Sequence, residues 1–131
     1  MPEALSFRFD HVHVYCTNLS EMESWFVDGL GAEVLRRVES PRSTSVFLSL
    51  GGAQIIVRPA EPGESLVAPT QRQFGTHHFG LLVDDLDRTA AELKRRSVKF
   101  ELEPMQYRPG VRISYIVGPD DVRVELLERH A

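Results

Sequence analysis

Two stretches of this chain carry the same alternation of polar and apolar residues, HVHVYCTNL at 11 to 19 and HFGLLVDDL at 78 to 86, each opening on a histidine eight residues ahead of a leucine. Alternation of this kind puts every second side chain on one face of a strand. Over Phe7 to Cys16 it sets Val12, Val14 and Cys16 on one face and His11, His13 and Tyr15 on the other. The apolar face predicts packing against a helix. That helix is predicted over Glu21 to Leu30, opened by a capping box of Ser20 and Glu23, packed through Trp25, Phe26 and Leu30, and stopped near Gly31. Strands are predicted near 33 to 38, 44 to 50 and 53 to 59, divided by the turn-forming SPRS and by Gly51-Gly52. The second stretch repeats this order. It predicts a strand over His77 to Val83, a helix capped by Asp84 or Asp85 and running to about Arg96, and strands near 98 to 102, 111 to 117 and 122 to 128.

A βαβββ unit written twice predicts an α+β fold of two tandem βαβββ modules, forming a curved mixed-sheet cup with helices on its outer face. Module one covers about 7–59 and module two about 75–128 of a single domain over 1–131. The intervening AEPGESLVAPTQRQF, residues 60–74, holds prolines, a glycine and several polar residues, and is predicted to connect the modules along the rim of the cup.

Composition narrows the function classes. A lone cysteine, Cys16, excludes an internal disulfide, and its place on the apolar face marks it as an inert small residue. The opening MPEALSFRFD lacks an apolar export core, and no apolar run approaches the roughly 18 residues of a membrane span. The expected compartment is the cytoplasm, with no membrane partner. A formal charge of −4, with acids and bases interspersed, leaves no basic stripe for nucleic acid. The expected partner is a small molecule.

Parity places the candidate chemistry. In module two Phe79, Leu81 and Val83 take the helix side, which leaves His78, Gly80 and Leu82 on the cup side, as His11 is in module one. In the last strand Val122, Val124 and Leu126 alternate with Arg123, Glu125 and Leu127, so Glu125 stands mid-strand on the cup face. A half-buried carboxylate there is costly unless it is paired or bound to a cation, and two imidazoles aimed into the same cup supply the rest of a coordination sphere. A strand histidine is ordinarily a hydrogen-bonded core or surface residue; its repetition beside an in-strand glutamate is what favours ligation. His13 and Tyr15, on the face of His11, are candidates for acid, base or hydrogen-bonding roles at the reacting centre. Tyr115, Arg112 and Tyr107 lie in or just before the strand ahead of Glu125, where phenols and a guanidinium suit an anionic or enolic substrate. Arg58 and Arg123 alternate onto the cup side, His77 alternates away from His78, and His130 belongs to the terminal tail.

The stretches DHVHVYCTNL, SWFVDGLGAEV, THHFGLLVDDLDRTAAELKRR and SYIVGPDDVRVELLE, in this order from about Phe9 to Glu128, resemble the vicinal oxygen chelate superfamily of glyoxalases, bleomycin-resistance proteins and extradiol dioxygenases. The resemblance implies paired βαβββ units around an open metal centre that binds a substrate through neighbouring oxygens. By motif position it places the metal ligands on His11, His78 and Glu125, with Glu125 also the base. It implies one divalent metal ion (Fe, Mn, Co, Ni or Zn) and a homodimer. The chain departs from the family at Ile56 in GGAQIIVRP, where glyoxalase I-like members supply a further Glu or Gln ligand. Ile56 cannot bind a metal, and Gln54, on the same face, substitutes only if the strand is shifted. Two histidines and one carboxylate with open positions is a set associated with non-haem iron, though the other divalent ions accept it. The implied function is that of a metal-dependent lyase or isomerase acting on a small oxygenated metabolite. The alternatives are an extradiol-type non-haem iron dioxygenase and a metal-free drug-binding protein of the bleomycin-resistance kind.

Overall fold

A computed structural model describes residues 5–6, 8–64 and 75–130. The first unit consists of β1 (Val12–Cys16), α1 (Leu19–Ser24), β2 (Glu33–Glu39), β3 (Thr44–Leu50) and β4 (Ala53–Pro59). The second consists of β5 (Phe79–Leu82), α2 (Leu86–Arg95), β6 (Lys99–Arg108), β7 (Val111–Val117) and β8 (Arg123–Arg129). Each unit folds its strands into a sheet of its own, ordered β1-β4-β3-β2 and β5-β8-β7-β6. In each, the first and last strands pair in parallel and the remaining neighbours are antiparallel. The α+β fold and its tandem βαβββ order are those the alternation predicts. Of the connection expected over 60–74, residues 65–74 lie outside the described residues, as does Phe7 at the start of the first expected strand.

Burial follows parity. Val12 and Val14 pack on a cluster of Cys16, Met22, Phe26, Val46, Leu48, Ile55 and Val57 beneath α1. Phe79, Leu81 and Val83 pack on Leu86, Leu93, Val98, Ile116, Val124 and Leu126 beneath α2. Burying such apolar side chains is the main favourable term holding helix to sheet, at about 1.5–3 kcal/mol for each large one. A polar group without a partner interrupts this core: Ser114 on β7, in register with Leu126 on β8, is fully buried and its Oγ has no hydrogen-bond partner among the described residues. Ser114→Ala removes the stranded hydroxyl with little loss of packing. It should raise stability by about 1 kcal/mol, seen as a later midpoint in urea unfolding.

Three local expectations are corrected. The cap of α1 is Asn18 and not Ser20: Asn18 is extended (φ −130°, ψ 107°) and its Oδ1 accepts the Glu21 N–H at 3.0 Å, while Glu23 is drawn across to Arg37 on β2. The helix changes to a π-helical turn over Trp25–Gly29 before Gly31, at φ +79°, ends it. The strands carrying the two histidines are shorter than the alternation suggests, so His11 and His78 sit in extended coil just ahead of β1 and β5. The cap of α2 is Asp85, whose Oδ1 accepts the Arg88 N–H at 3.1 Å, as one of the two aspartates was expected to do.

The modules meet on their helix sides. Trp25 packs against both apolar clusters and lies on Gly118, where an added Cβ would come within 2.7 Å of the indole. Arg96 Nη1 donates to the Gly29 carbonyl at 3.2 Å. Asp120, at φ 56°, accepts both the Thr17 N–H (2.8 Å) and the Thr17 hydroxyl (2.9 Å), joining the end of β1 to the turn before β8.

Candidate metal centre

In module two the register brings three groups together. Tyr115 on β7 stands opposite Glu125 on β8, and Glu125 stands beside Gly80 on β5. The cup face of β5 is therefore bare next to Glu125, and the carboxylate reaches over it: its Oε1 lies 3.4 Å from His78 Nε2. The Tyr115 hydroxyl lies 3.5 Å from the same nitrogen, and its ring meets the His78 ring edge-on at 5.0 Å. Burial, and then the Glu125 carboxylate, push the phenol pKa above its usual 10, so Tyr115 keeps its proton at neutral pH and acts as a donor. Both His78 and Glu125 are largely covered, with side chains 29% and 17% exposed.

Module one carries its own group of polar and aromatic side chains on β1 and β4. His13 pairs with Ile56 and Tyr15 with Arg58 along β1 and β4, and the His13 and Tyr15 rings lie 4.8 Å apart. The Arg58 guanidinium sits 4.7 Å above the Tyr15 ring and is itself held by Glu61 and Glu64. Burial, then Arg58 and His11, lower the His13 pKa below its usual 6.5, which favours the neutral imidazole. His11 Nδ1 is held by Asp10 Oδ2 at 2.6 Å. Ile56 is 8% exposed on this face and offers no donor, while Gln54 on β4 stands opposite Ser49 on β3.

These donors fit part of a divalent site. An imidazole nitrogen and a carboxylate oxygen 3.4 Å apart are spaced as two ligands on one ion would be, at bond lengths of about 2.0–2.2 Å. Within one chain the third expected donor is elsewhere: among the described residues no three His, Cys, Asp or Glu side chains lie close enough together to hold an ion.

The structure redistributes other expected site residues. Arg112 is withdrawn from the substrate-facing set. It stands opposite Glu128 on the helix side of β7, and both of its terminal nitrogens bond Asp87 at 2.9 Å. Tyr107 is an exposed rim residue near Tyr115. His77 does not alternate away from His78: it precedes β5, where strand parity does not apply, and its Nδ1 lies 2.8 Å from His78 Nδ1. Arg123, on the face of Glu125, pairs with Glu101 at 3.0 Å. Cys16 is buried, and burial with the nearby Asp120 carboxylate pushes its thiol up to about 11, which rules out a thiolate nucleophile at neutral pH. Asp10 carried a readable signal, an acid directly before the first candidate ligand, that parity alone passes over.

Similar proteins agree with this architecture. An uncharacterized Bacillus subtilis (strain 168) protein, YwkD, is 26% identical over 123 residues, which is 91% of this chain and 94% of that protein. A probable chloroplastic lactoylglutathione lyase of Arabidopsis thaliana is 27% identical over 133 residues; the match covers 93% of this chain but 36% of the plant protein. The crystal structure of a glyoxalase family protein from Enterococcus faecalis superposes with a TM-score of 0.80 at 22% identity, covering 92% of this chain and 97% of that one, and so shares its fold. The sequence model of one family matches residues 8–126, and the chain belongs to that family, the Glyoxalase/Bleomycin resistance protein/Dioxygenase superfamily.

Proposed function

We propose that the protein is a metal-dependent lyase or isomerase acting on a small oxygenated metabolite through two neighbouring oxygens. The observation that carries this is the convergence of His78 Nε2, Glu125 Oε1 and the protonated Tyr115 phenol on one covered patch of the module-two sheet. The name of the plant relative, a lactoylglutathione lyase, supports the same class. His78, Glu125 and His11 are the proposed ligands, with His11 supplied by the second chain of a homodimer. Exposed apolar residues on the two sheets, Leu82, Met105 and Tyr107 in module two and Tyr15 and Val38 in module one, favour burial against such a copy. The proposed compartment is the cytoplasm; among the described residues no helix is long and apolar enough to cross a membrane.

A bound divalent ion supplies Lewis acidity, which polarises a substrate oxygen and makes the neighbouring C–H more acidic. Glu125 is placed to take that proton on a carboxylate oxygen and to return it to the adjacent carbon. Tyr115, which keeps its proton, donates a hydrogen bond to a developing enolate oxygen. Neutral His13 and the Tyr15–Arg58 pair line the opposing half-site and orient the polar end of the substrate. A second reading, extradiol-type oxygen chemistry on iron, draws on Ile56: without a ligand from β4, the proposed shell has two histidines and one carboxylate.

One set of measurements separates these readings. Protein purified without chelator should carry about one divalent ion per proposed site, and with nickel, cobalt or zinc it should form or consume lactoylglutathione or a related hydroxyacyl compound without oxygen uptake. Oxygen consumption by the iron-loaded protein on catechols would favour the dioxygenase. Failure to bind any of Fe, Mn, Co, Ni or Zn would sink both and leave a metal-free binding protein.

A further inference from the structure

In both modules the residue just before the candidate ligand histidine occupies that histidine's Nδ1. Asp10 Oδ2 lies 2.6 Å from His11 Nδ1, and His77 Nδ1 lies 2.8 Å from His78 Nδ1. Adjacent side chains in a strand point to opposite faces, so neither contact is possible inside regular β-structure. Each pair lies in the coil immediately ahead of its strand, at equivalent places in the repeated unit.

We propose that Asp10 and His77 are positioning residues, each holding Nδ1 of the next histidine so that Nε2 is the nitrogen offered to an ion. This rests on the reading of His11 and His78 as ligands. The two devices differ chemically. A carboxylate only accepts, so Asp10 fixes the proton on His11 Nδ1 and leaves Nε2 as a lone pair. A neutral imidazole donates or accepts at Nδ1 according to its tautomer. His77 therefore holds the His78 ring both when Nε2 bears a proton directed at Glu125 Oε1, 3.4 Å away, and when it offers a lone pair. Ring packing supports the same orientation: His77 and Tyr115 both meet His78 edge-on, each with centroids 5.0 Å from it and planes at 85° and 84°. Outer partners of this kind set the tautomer and direction of a ligating imidazole, and their loss typically weakens metal binding by about 10–100-fold.

Zinc affinity, measured on the full chain by competition with a chromophoric chelator, tests the idea across Asp10→Ala, Asp10→Asn, His77→Phe and His77→Gln, beside ¹⁵N-resolved imidazole spectra of the metal-free wild type. Asp10→Ala and His77→Phe should bind zinc about 10–100-fold more weakly. Asp10→Asn and His77→Gln, whose side-chain carbonyls still accept from Nδ1–H, should recover most of the loss. A merely structural role predicts no such rescue. In the metal-free spectra His11 should carry its proton on Nδ1. Wild-type affinity in all four variants would overturn the positioning roles and leave the ligand assignment standing. A wild type that does not bind zinc at all would overturn the ligand assignment itself. The positioning of His11 by Asp10 would then be decided by the spectra, where a proton on Nε2 overturns it.

Discussion

His78→Ala should abolish the stabilisation that a divalent ion gives this protein while leaving the metal-free fold as it is. His78 lies in coil before β5, outside both apolar clusters, so its truncation opens no core cavity. Its Nε2, beside Glu125 Oε1, is half of the proposed donor pair. With one strong ligand of a small set removed, affinity should fall by roughly a hundredfold or more. Linkage makes this visible without a substrate: an ion at a hundred times its Kd stabilises the native state by about 2.7 kcal/mol, roughly 10 °C in Tm for a domain of this size. The wild type should show that rise on adding zinc or nickel, and His78→Ala should show almost none. Turnover should fall with it. Equal metal-induced shifts in the two proteins would remove His78 from the ligand set, and a lower Tm for the metal-free variant would instead mark the histidine as structural.

Much of the fold was legible because burial enforces a period of two. Val12, Val14 and Cys16 against His13 and Tyr15, and Val124 and Leu126 against Glu125, assign faces that the register reproduces. The failures have distinct physical causes. Asn18 and Ser20 are both good caps, and the choice between them depends on backbone dihedrals and on Glu23 finding Arg37, a partner distant in sequence. For His77, parity was carried past the end of the strand that justifies it. For Arg112, nearness in sequence to the Glu125 strand outweighed parity, although Ser114 and Ile116 on the same strand already point to the helix side. How the two modules pack on each other within the chain is set by long-range contacts such as Trp25 on Gly118, and no local pattern encodes that.

The largest effect on folding is expected at Glu128, on the helix side of β8. Its Oε2 accepts the N–H of Leu86, the first residue of α2, at 2.6 Å, and its Oε1 accepts from His130 at 2.9 Å. Leu86 is fully buried, so its amide has no water to turn to if the carboxylate is removed. Asp85 already serves the Arg88 amide and cannot replace Glu128. Glu128→Ala should therefore lower Tm by roughly 5–10 °C, comparable to losing a helix cap together with a buried hydrogen bond. The effect should depend on pH with a definite sign. The Leu86 N–H first, and then His130, hold the Glu128 carboxyl below its ordinary 4.5, so the folded state favours the ionised form. A carboxylate with a depressed folded pKa stabilises fully above its unfolded value and loses that contribution as pH falls through the folded one. The stability gap between wild type and Glu128→Ala should thus be constant above about pH 5.5 and shrink as the pH is lowered below 4.5. A gap that persists unchanged to pH 3 would mean that the ionised carboxylate is not what anchors α2 to the sheet, and that side-chain packing carries the effect instead.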